Sequence, residues 1–245
     1  MNARERLILK LSQQIGMLKF TYPFTLGNRA DTICVGVCSG TFISKNYFLT
    51  AAHCLDISAI PIPPENPLAS LQHSIHVEDL VKFLSVSHGS KKDIKVLGAS
   101  EVNRDLDYAI LHLEQDPSDF SSIFVIGNGI KTGEELLIMQ YPFGDAIQWD
   151  WGIHTYTKQE LTESSSPFTA IYYEDIQTEK GSSGSGIFNR NGELVGIHLE
   201  GKCLTNSLQQ PYGFNSGVSI QDLVSKSGIL NALSLIIRKA KSSNN

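Results

Sequence analysis

The feature that most constrains this chain is a succession of short apolar runs, each rich in β-branched or aromatic residues and each stopped by turn formers. Ile33 to Val37 and Gly40 to Ile43 come first, and Tyr47-Phe48-Leu49 follows the turn Ser44-Lys45-Asn46. Further along stand Ile75 to Val77, Ile94 to Leu97, Asp107 to Leu113, Glu135 to Met139, Trp149 to Tyr156, Ala170 to Ile176 and Leu194 to His198. Runs this short, repeated this often, are the pattern of antiparallel barrels. The stretch from Asp56 to Ser70 holds Pro61, Pro63, Pro64 and Pro67 and reads as a surface loop, because proline offers no ladder donor. Asp116 to Ser122 reads as the crossover between two halves.

Both ends depart from this pattern. Leu7, Leu11, Ile15 and Leu18 recur at helical spacing, which predicts an amphipathic lead-in helix over residues 1–20, packed on the body. From Ile220 the period is again helical, through Leu223, Ile229, Leu233 and Ile237, with a break at Ser227-Gly228.

At 245 residues and 41% hydrophobic content, the chain can bury one full core or two smaller ones sharing an interface. A net charge of −5 with scattered Lys and Arg gives no basic stripe, which argues against nucleic-acid binding. The apolar stretch Ile229 to Ile237 is too short to cross a bilayer. Arg4, Glu5, Arg6 and Lys10 interrupt the apolar region that a secretory signal needs. The expectation is therefore a cytoplasmic protein, or one exported by a non-classical route.

Chemistry enters with Gly181-Ser182-Ser183-Gly184-Ser185-Gly186. A serine between glycines can sit on a sharp turn, its hydroxyl exposed and the neighbouring N–H groups aimed at whatever it attacks. Alone, such a run is an ordinary loop. Two further segments change that: Thr50-Ala51-Ala52-His53-Cys54 at a strand end, and Asp107-Tyr108-Ala109-Ile110-Leu111, an acid opening a buried strand. In these three segments the chain resembles the chymotrypsin-fold, trypsin-like serine peptidases, whose members carry T-A-A-H-C, D-x-A-hydrophobic and G-x-S-G in that order. Tyr141-Pro142-Phe143-Gly144 and Asn191-Gly192-Glu193-Leu194-Val195-Gly196 bring it nearest the glutamyl-endopeptidase and HtrA-like bacterial branch.

The resemblance implies an all-β fold of two antiparallel six-stranded β-barrels, with the lead-in helix over 1–20, a first barrel over 21–122, and a second barrel plus C-terminal helix over 123–245. Together these form one peptidase domain. It makes Ser183 the nucleophile, His53 the general base and Asp107 the acid that orients the imidazole, with the N–H groups of Gly181 and Ser183 as the oxyanion hole. Asp105 competes for the acid role, but Tyr108-Ala109-Ile110-Leu111 keeps Asp107 in the family's register. Cys38 and Cys54 have the separation of the pair that brackets the catalytic histidine in animal members, so their side chains should be adjacent. Without a secretory signal the expectation is free thiols. Ser182 stands where animal members carry the aspartate that holds a newly cut amino terminus, so activation by that cleavage is not expected. No cofactor is implied. His73 and His76 have a ligand-like spacing but no third partner nearby, so no metal is expected there.

For specificity, Gln177 stands where trypsin carries its substrate-binding acid, which argues against cleavage after Lys or Arg. Thr178 and His198 match positions that bind an acidic side chain in glutamyl endopeptidases, implying cleavage after Glu or Asp, with a partly charged histidine adding attraction. Gly201 would offer its backbone to an extended substrate, while Glu200 beside it opposes an acidic one. A catalytically silent relative that binds peptides in the same cleft is the alternative. A lipase is disfavoured by the His, Asp, Ser order.

Overall fold

The computed structural model describes residues 1–26, 29–56, 83–88, 93–114, 125–205 and 211–242. Twelve strands are assigned in this described part: β1 Ile15–Leu26, β2 Arg29–Phe42, β3 Tyr47–Thr50, β4 Leu84–Ser87, β5 Ile94–Asn103, β6 Tyr108–Leu113, β7 Glu135–Gln140, β8 Gln148–Leu161, β9 Pro167–Glu174, β10 Gly186–Asn189, β11 Leu194–Thr205 and β12 Pro211–Ser219. Helix α1 (Ala3–Ser12) precedes them, and α2 (Ile220–Lys226) and α3 (Gly228–Ser242) follow. Every pairing between these twelve strands is antiparallel, and the strands close into two barrels, in the order β1-β2-β3-β6-β5-β4 and β10-β11-β12-β9-β8-β7. This is the chymotrypsin-like fold that the motifs implied.

Closure explains why the strands read as unbroken apolar runs. Alternate side chains of a strand point to opposite faces, and in the strands at the junction of the barrels, such as β6 and β7, both faces are buried. On β6, Ala109, Leu111 and Leu113 enter the interior of the first barrel, while Tyr108 and Ile110 join a cluster shared by both barrels and the helices. On β7, Leu136 and Ile138 fill the second barrel, while Leu137 and Met139 join that same shared cluster. The barrels therefore meet through a continuous apolar seam.

The N-terminal helix is shorter than its apolar spacing implied. An Asn2–Glu5 capping box starts α1, which ends at Ser12, and Ile15 and Leu18 lie on β1. The Gln14 carbonyl accepts the Phe42 N–H, and from there the pattern has period two. Ile15 and Met17 face the seam, while Leu18 and Phe20 face the barrel interior. Leu7 and Leu11 keep the helix docked over the turn at Gly192, where any added Cβ would overlap Leu7. The break at Ser227-Gly228 does separate two helices, bent by 110°. Among the described residues, no single helix is long and apolar enough to cross a membrane. The segments expected at Asp56 to Ser70 (beyond Asp56), Ile75 to Val77 and Asp116 to Ser122, together with His73 and His76, lie outside the described residues.

Candidate active site

His53 sits in the 3-10 turn Ala52–Leu55 directly after β3. Ala51 and Ala52 are buried, so the turn is anchored from behind. Asp107 reaches it from the start of β6 by three contacts. Its carbonyl accepts the Ala52 N–H at 3.1 Å, and its Oδ1 accepts the His53 N–H at 2.8 Å. Its Oδ2 lies 2.6 Å from His53 Nδ1. Asp107 has φ 51, a left-handed conformation that aspartate tolerates better than most residues. The turn before it is tied by the Leu106 N–H donating to Asn103 Oδ1. Asp105 instead accepts a hydrogen bond from Ser164, so the geometry separates the two candidate acids.

With Nδ1 committed to Asp107, the other ring nitrogen, Nε2, is the basic end. The hydrogen bond to Asp107 raises the His53 pKa above its ordinary value, against the opposing effect of burial, and the charges of Asp107, Asp56 and Glu200 add to the rise.

Ser183 lies in the turn between β9 and β10, where Gly181 has φ 98 and Gly184 φ 82. At Gly184 a Cβ would overlap Thr50 Oγ1, the Ser39 carbonyl and the Ala51 nitrogen, so only glycine lets this turn press on the first barrel. Ser182 is wholly buried, and its hydroxyl accepts the Glu179 N–H at 2.9 Å, closing the turn locally where animal members place an acid. The Ser183 Oγ donates to the Leu199 carbonyl at 3.3 Å.

Two peptide planes in this turn are pinned by their carbonyls. Lys180 C=O accepts the Phe143 N–H at 2.5 Å, and Ser182 C=O accepts the Ser185 N–H at 3.1 Å. In a trans peptide the C=O and the following N–H point in opposite directions, so the N–H groups of Gly181 and Ser183 face away from these anchors. Among the described residues neither has a protein acceptor, which leaves two donors for an incoming oxygen.

His53, Asp107, Ser183, Thr178, His198 and Gly201 all line one cavity of about 780 Å³. Gln177 does not line it: its N–H donates to Asp150, its side chain to Glu179, and its carbonyl accepts from Gln140. Thr178 Oγ1 donates to Asn215 Oδ1 at 2.5 Å, and Asn215 Nδ2 donates to the Ile176 carbonyl. Gly201 packs so closely on this pair that a side chain there would overlap the Thr178 hydroxyl.

His198 is 2% exposed, and its Nδ1 lies 2.5 Å from the hydroxyl of Tyr173, itself fully buried. Burial, and then the charge of His53, lowers the His198 pKa to about 3, while burial raises that of Tyr173. His198 is therefore neutral, not partly charged as its position suggested. A buried phenol needs an acceptor for its hydrogen. Tyr173 finds one in Nδ1, so the imidazole carries its own hydrogen on Nε2. Tyr173, Asn215 and Asn103 were not singled out by the motifs; only their places in folded strands and turns reveal them.

The sulfurs of Cys38 and Cys54 are bonded, closing a loop of separation 16 beside His53, in place of the free thiols expected. As a disulfide the pair offers no thiolate to a metal, although both sulfurs lie near the His53 ring.

Two closed barrels, with a histidine–carboxylate pair from one and a serine turn from the other in a single cavity, define a chymotrypsin-fold serine peptidase. The chain belongs to the trypsin-like peptidase domain family, whose pattern matches residues 38–197. It is 29% identical over 216 residues to exfoliative toxin A of Staphylococcus aureus, covering 84% of this chain and 70% of the toxin. It is 25% identical over 187 residues to the "Probable periplasmic serine protease do/HhoA-like" of Haemophilus influenzae, of which it spans 33%. Among solved structures it resembles the active form of the Rv3671c protease from M. tuberculosis, with a TM-score of 0.59, 13% identity, and coverage of 91% of this chain and 83% of that one.

Proposed function

We propose that this chain is a serine endopeptidase working through Ser183, His53 and Asp107, and that it cleaves after Glu or Asp. The observation that carries the triad is the double grip of Asp107 on His53, with Ser183 in the same cavity. The Ser183 hydroxyl attacks the scissile carbonyl carbon and passes its proton to His53 Nε2, and Asp107 stabilises the resulting imidazolium. The oxyanion takes the N–H groups of Gly181 and Ser183. Collapse expels the amine, which leaves with the proton held by His53. Water then repeats the sequence on the acyl-enzyme and releases the acid. The Ser183–His53 hydrogen bond forms when Oγ turns from the Leu199 carbonyl, a rearrangement common in substrate-free sites.

His198 supports the acidic preference through hydrogen bonding, not charge. Its Nε2–H is a fixed donor in the cavity that favours an acceptor-bearing side chain and offers nothing to a cation. The Thr178 hydroxyl hydrogen is held by Asn215, so Thr178 contributes once its hydroxyl turns to the substrate. Gly201, on the wall of the same cavity, offers its backbone to an extended substrate. Glu200, on the cavity wall, opposes an acidic side chain and limits the selectivity.

The silent-relative reading calls for a displaced Asp107 or a collapsed serine turn, and the anchored carbonyls and the bond from Asp107 to His53 favour the enzyme instead. A fluorophosphonate probe should label the wild-type protein and not Ser183→Ala. An internally quenched peptide library should show cleavage after Glu. Preference for Arg or large apolar residues would refute the pocket assignment without touching the triad.

A further inference from the structure

The turn that carries Ser183 belongs to the second barrel, yet its shape is held by a side chain of the first. Ser39, on β2, is wholly buried. Its N–H donates to the Ser183 carbonyl at 2.9 Å. Its Oγ donates to the Gly181 carbonyl at 2.8 Å and accepts the Tyr141 N–H at 2.8 Å. Its own carbonyl accepts the Thr50 hydroxyl at 2.8 Å. Tyr141 immediately precedes the turn Pro142–Gly144, whose Phe143 N–H holds the Lys180 carbonyl.

These bonds connect the two ends of one residue. Gly181 follows the peptide plane fixed by Phe143 at the Lys180 carbonyl, and its own carbonyl is fixed by Ser39. The Ser39 hydroxyl also holds the backbone next to Phe143. Its hydrogen and one lone pair are both used, and no other side chain is bonded to both segments among the described residues. Phe143 has φ 56, so the segment it belongs to is not a relaxed helical turn that keeps its place unaided.

We propose that Ser39 is a positioning residue for the oxyanion site: its hydroxyl ties the 141–143 turn to Gly181 and so aims the Gly181 N–H at the developing oxyanion. Ser39 touches no substrate atom and acts only through these backbone groups. The proposal rests on the peptidase reading above, and it assigns to the seam between the barrels a role in the rate of the chemical step. Without the hydroxyl, the Gly181 carbonyl and the Tyr141 N–H lose their partners in a buried place, and the peptide carrying the Gly181 N–H is left held by the Phe143 N–H alone, from a turn no longer tied to Gly181.

The test compares wild type, Ser39→Ala, Ser39→Thr and Ser39→Cys on the best-cleaved member of a quenched peptide library, with fluorophosphonate labelling and inhibition by the matching peptide aldehyde alongside. Ser39→Ala should lower kcat and the labelling rate by roughly ten- to hundredfold, with KM within about twofold, because the contact acts on the tetrahedral state alone. Aldehyde affinity should fall in step with kcat. Ser39→Thr, which keeps the hydroxyl, should restore most of the rate, and Ser39→Cys, a weak donor, should not. Unchanged kcat in Ser39→Ala, a loss carried by KM, or equal rates in the Thr and Cys variants would overturn the proposal. If the Ala variant does not fold, the Thr and Cys pair decides alone. Absence of Ser183-dependent labelling in the wild type would instead remove the peptidase reading itself.

Discussion

Replacing Tyr173 by Phe removes a single oxygen and keeps the ring, so no cavity opens in a second-barrel core where that ring is fully buried. What is lost is the hydrogen held against His198 Nδ1. A buried acceptor left without its donor costs about 1–3 kcal/mol. For a domain of this size that corresponds to a drop of roughly 2–12 °C in Tm. The second consequence is chemical. With no phenol beside Nδ1, nothing obliges the imidazole hydrogen to stay on Nε2, and a bare Nε2 lone pair repels a substrate carboxylate. One neutral hydrogen bond is worth about 1 kcal/mol, so the preference for Glu over an apolar residue of similar size at the cleaved position should shrink by roughly fivefold to tenfold. The measurement is kcat/KM for paired peptides differing only at that residue, with fluorophosphonate labelling as control. Labelling should stay within about twofold of wild type, since Ser183, His53 and Asp107 are untouched. An unchanged peptide ratio in a variant whose Tm has fallen would refute the idea that Tyr173 sets the tautomer, leaving it a purely structural residue.

Because Glu200 contributes to the raised pKa of His53, Glu200→Gln should move the acid limb of the kcat/KM profile to lower pH and speed cleavage after Glu. A limb that stays in place would remove Glu200 from the electrostatics of the site. His198 gives a stability prediction with a defined sign: its folded pKa of about 3 lies below the ordinary 6.5, so its contribution is complete above pH 6.5 and is lost as pH falls toward 3. Between pH 7 and 4.5 this group alone should remove roughly 2–3 kcal/mol from the unfolding free energy measured in urea, partly offset by His53, whose raised pKa works the opposite way. Reducing the Cys38–Cys54 bond, or replacing both cysteines by Ala, should cost about 3 kcal/mol through the freed loop and lower Tm by roughly 6–12 °C. A scan that is identical with and without reductant would show that the bond does not form.

The barrels were legible because strands such as β3, β6, β7 and β10 are buried on both sides and therefore announce themselves as apolar runs. The same property hid β1. Ile15 and Leu18 fit a helical stripe with Leu7 and Leu11, and only the pairing of this segment with β2 and β4 shows that they face opposite sides of a strand. β12 escaped notice for the converse reason: Gly213, Asn215, Ser216 and Gly217 make it look like a loop, and it is a strand because β11 and β9 flank it. The candidate site divides in the same way. His53, Asp107 and Ser183 lie in local motifs, since each needs a particular turn and a turn is written in neighbouring residues. The groups around them do not. His198 is tuned by Tyr173, two strands away across β12, and Gly181 is fastened by Ser39, 142 positions earlier. Neither pairing follows from spacing along the chain, because both are created by strand register and by the packing of one barrel on the other. Seen alone, a hydroxyl at Ser39 and a phenol at Tyr173 are unremarkable; each gains its chemistry from the backbone carbonyl or ring nitrogen that closure of the barrels brings to it.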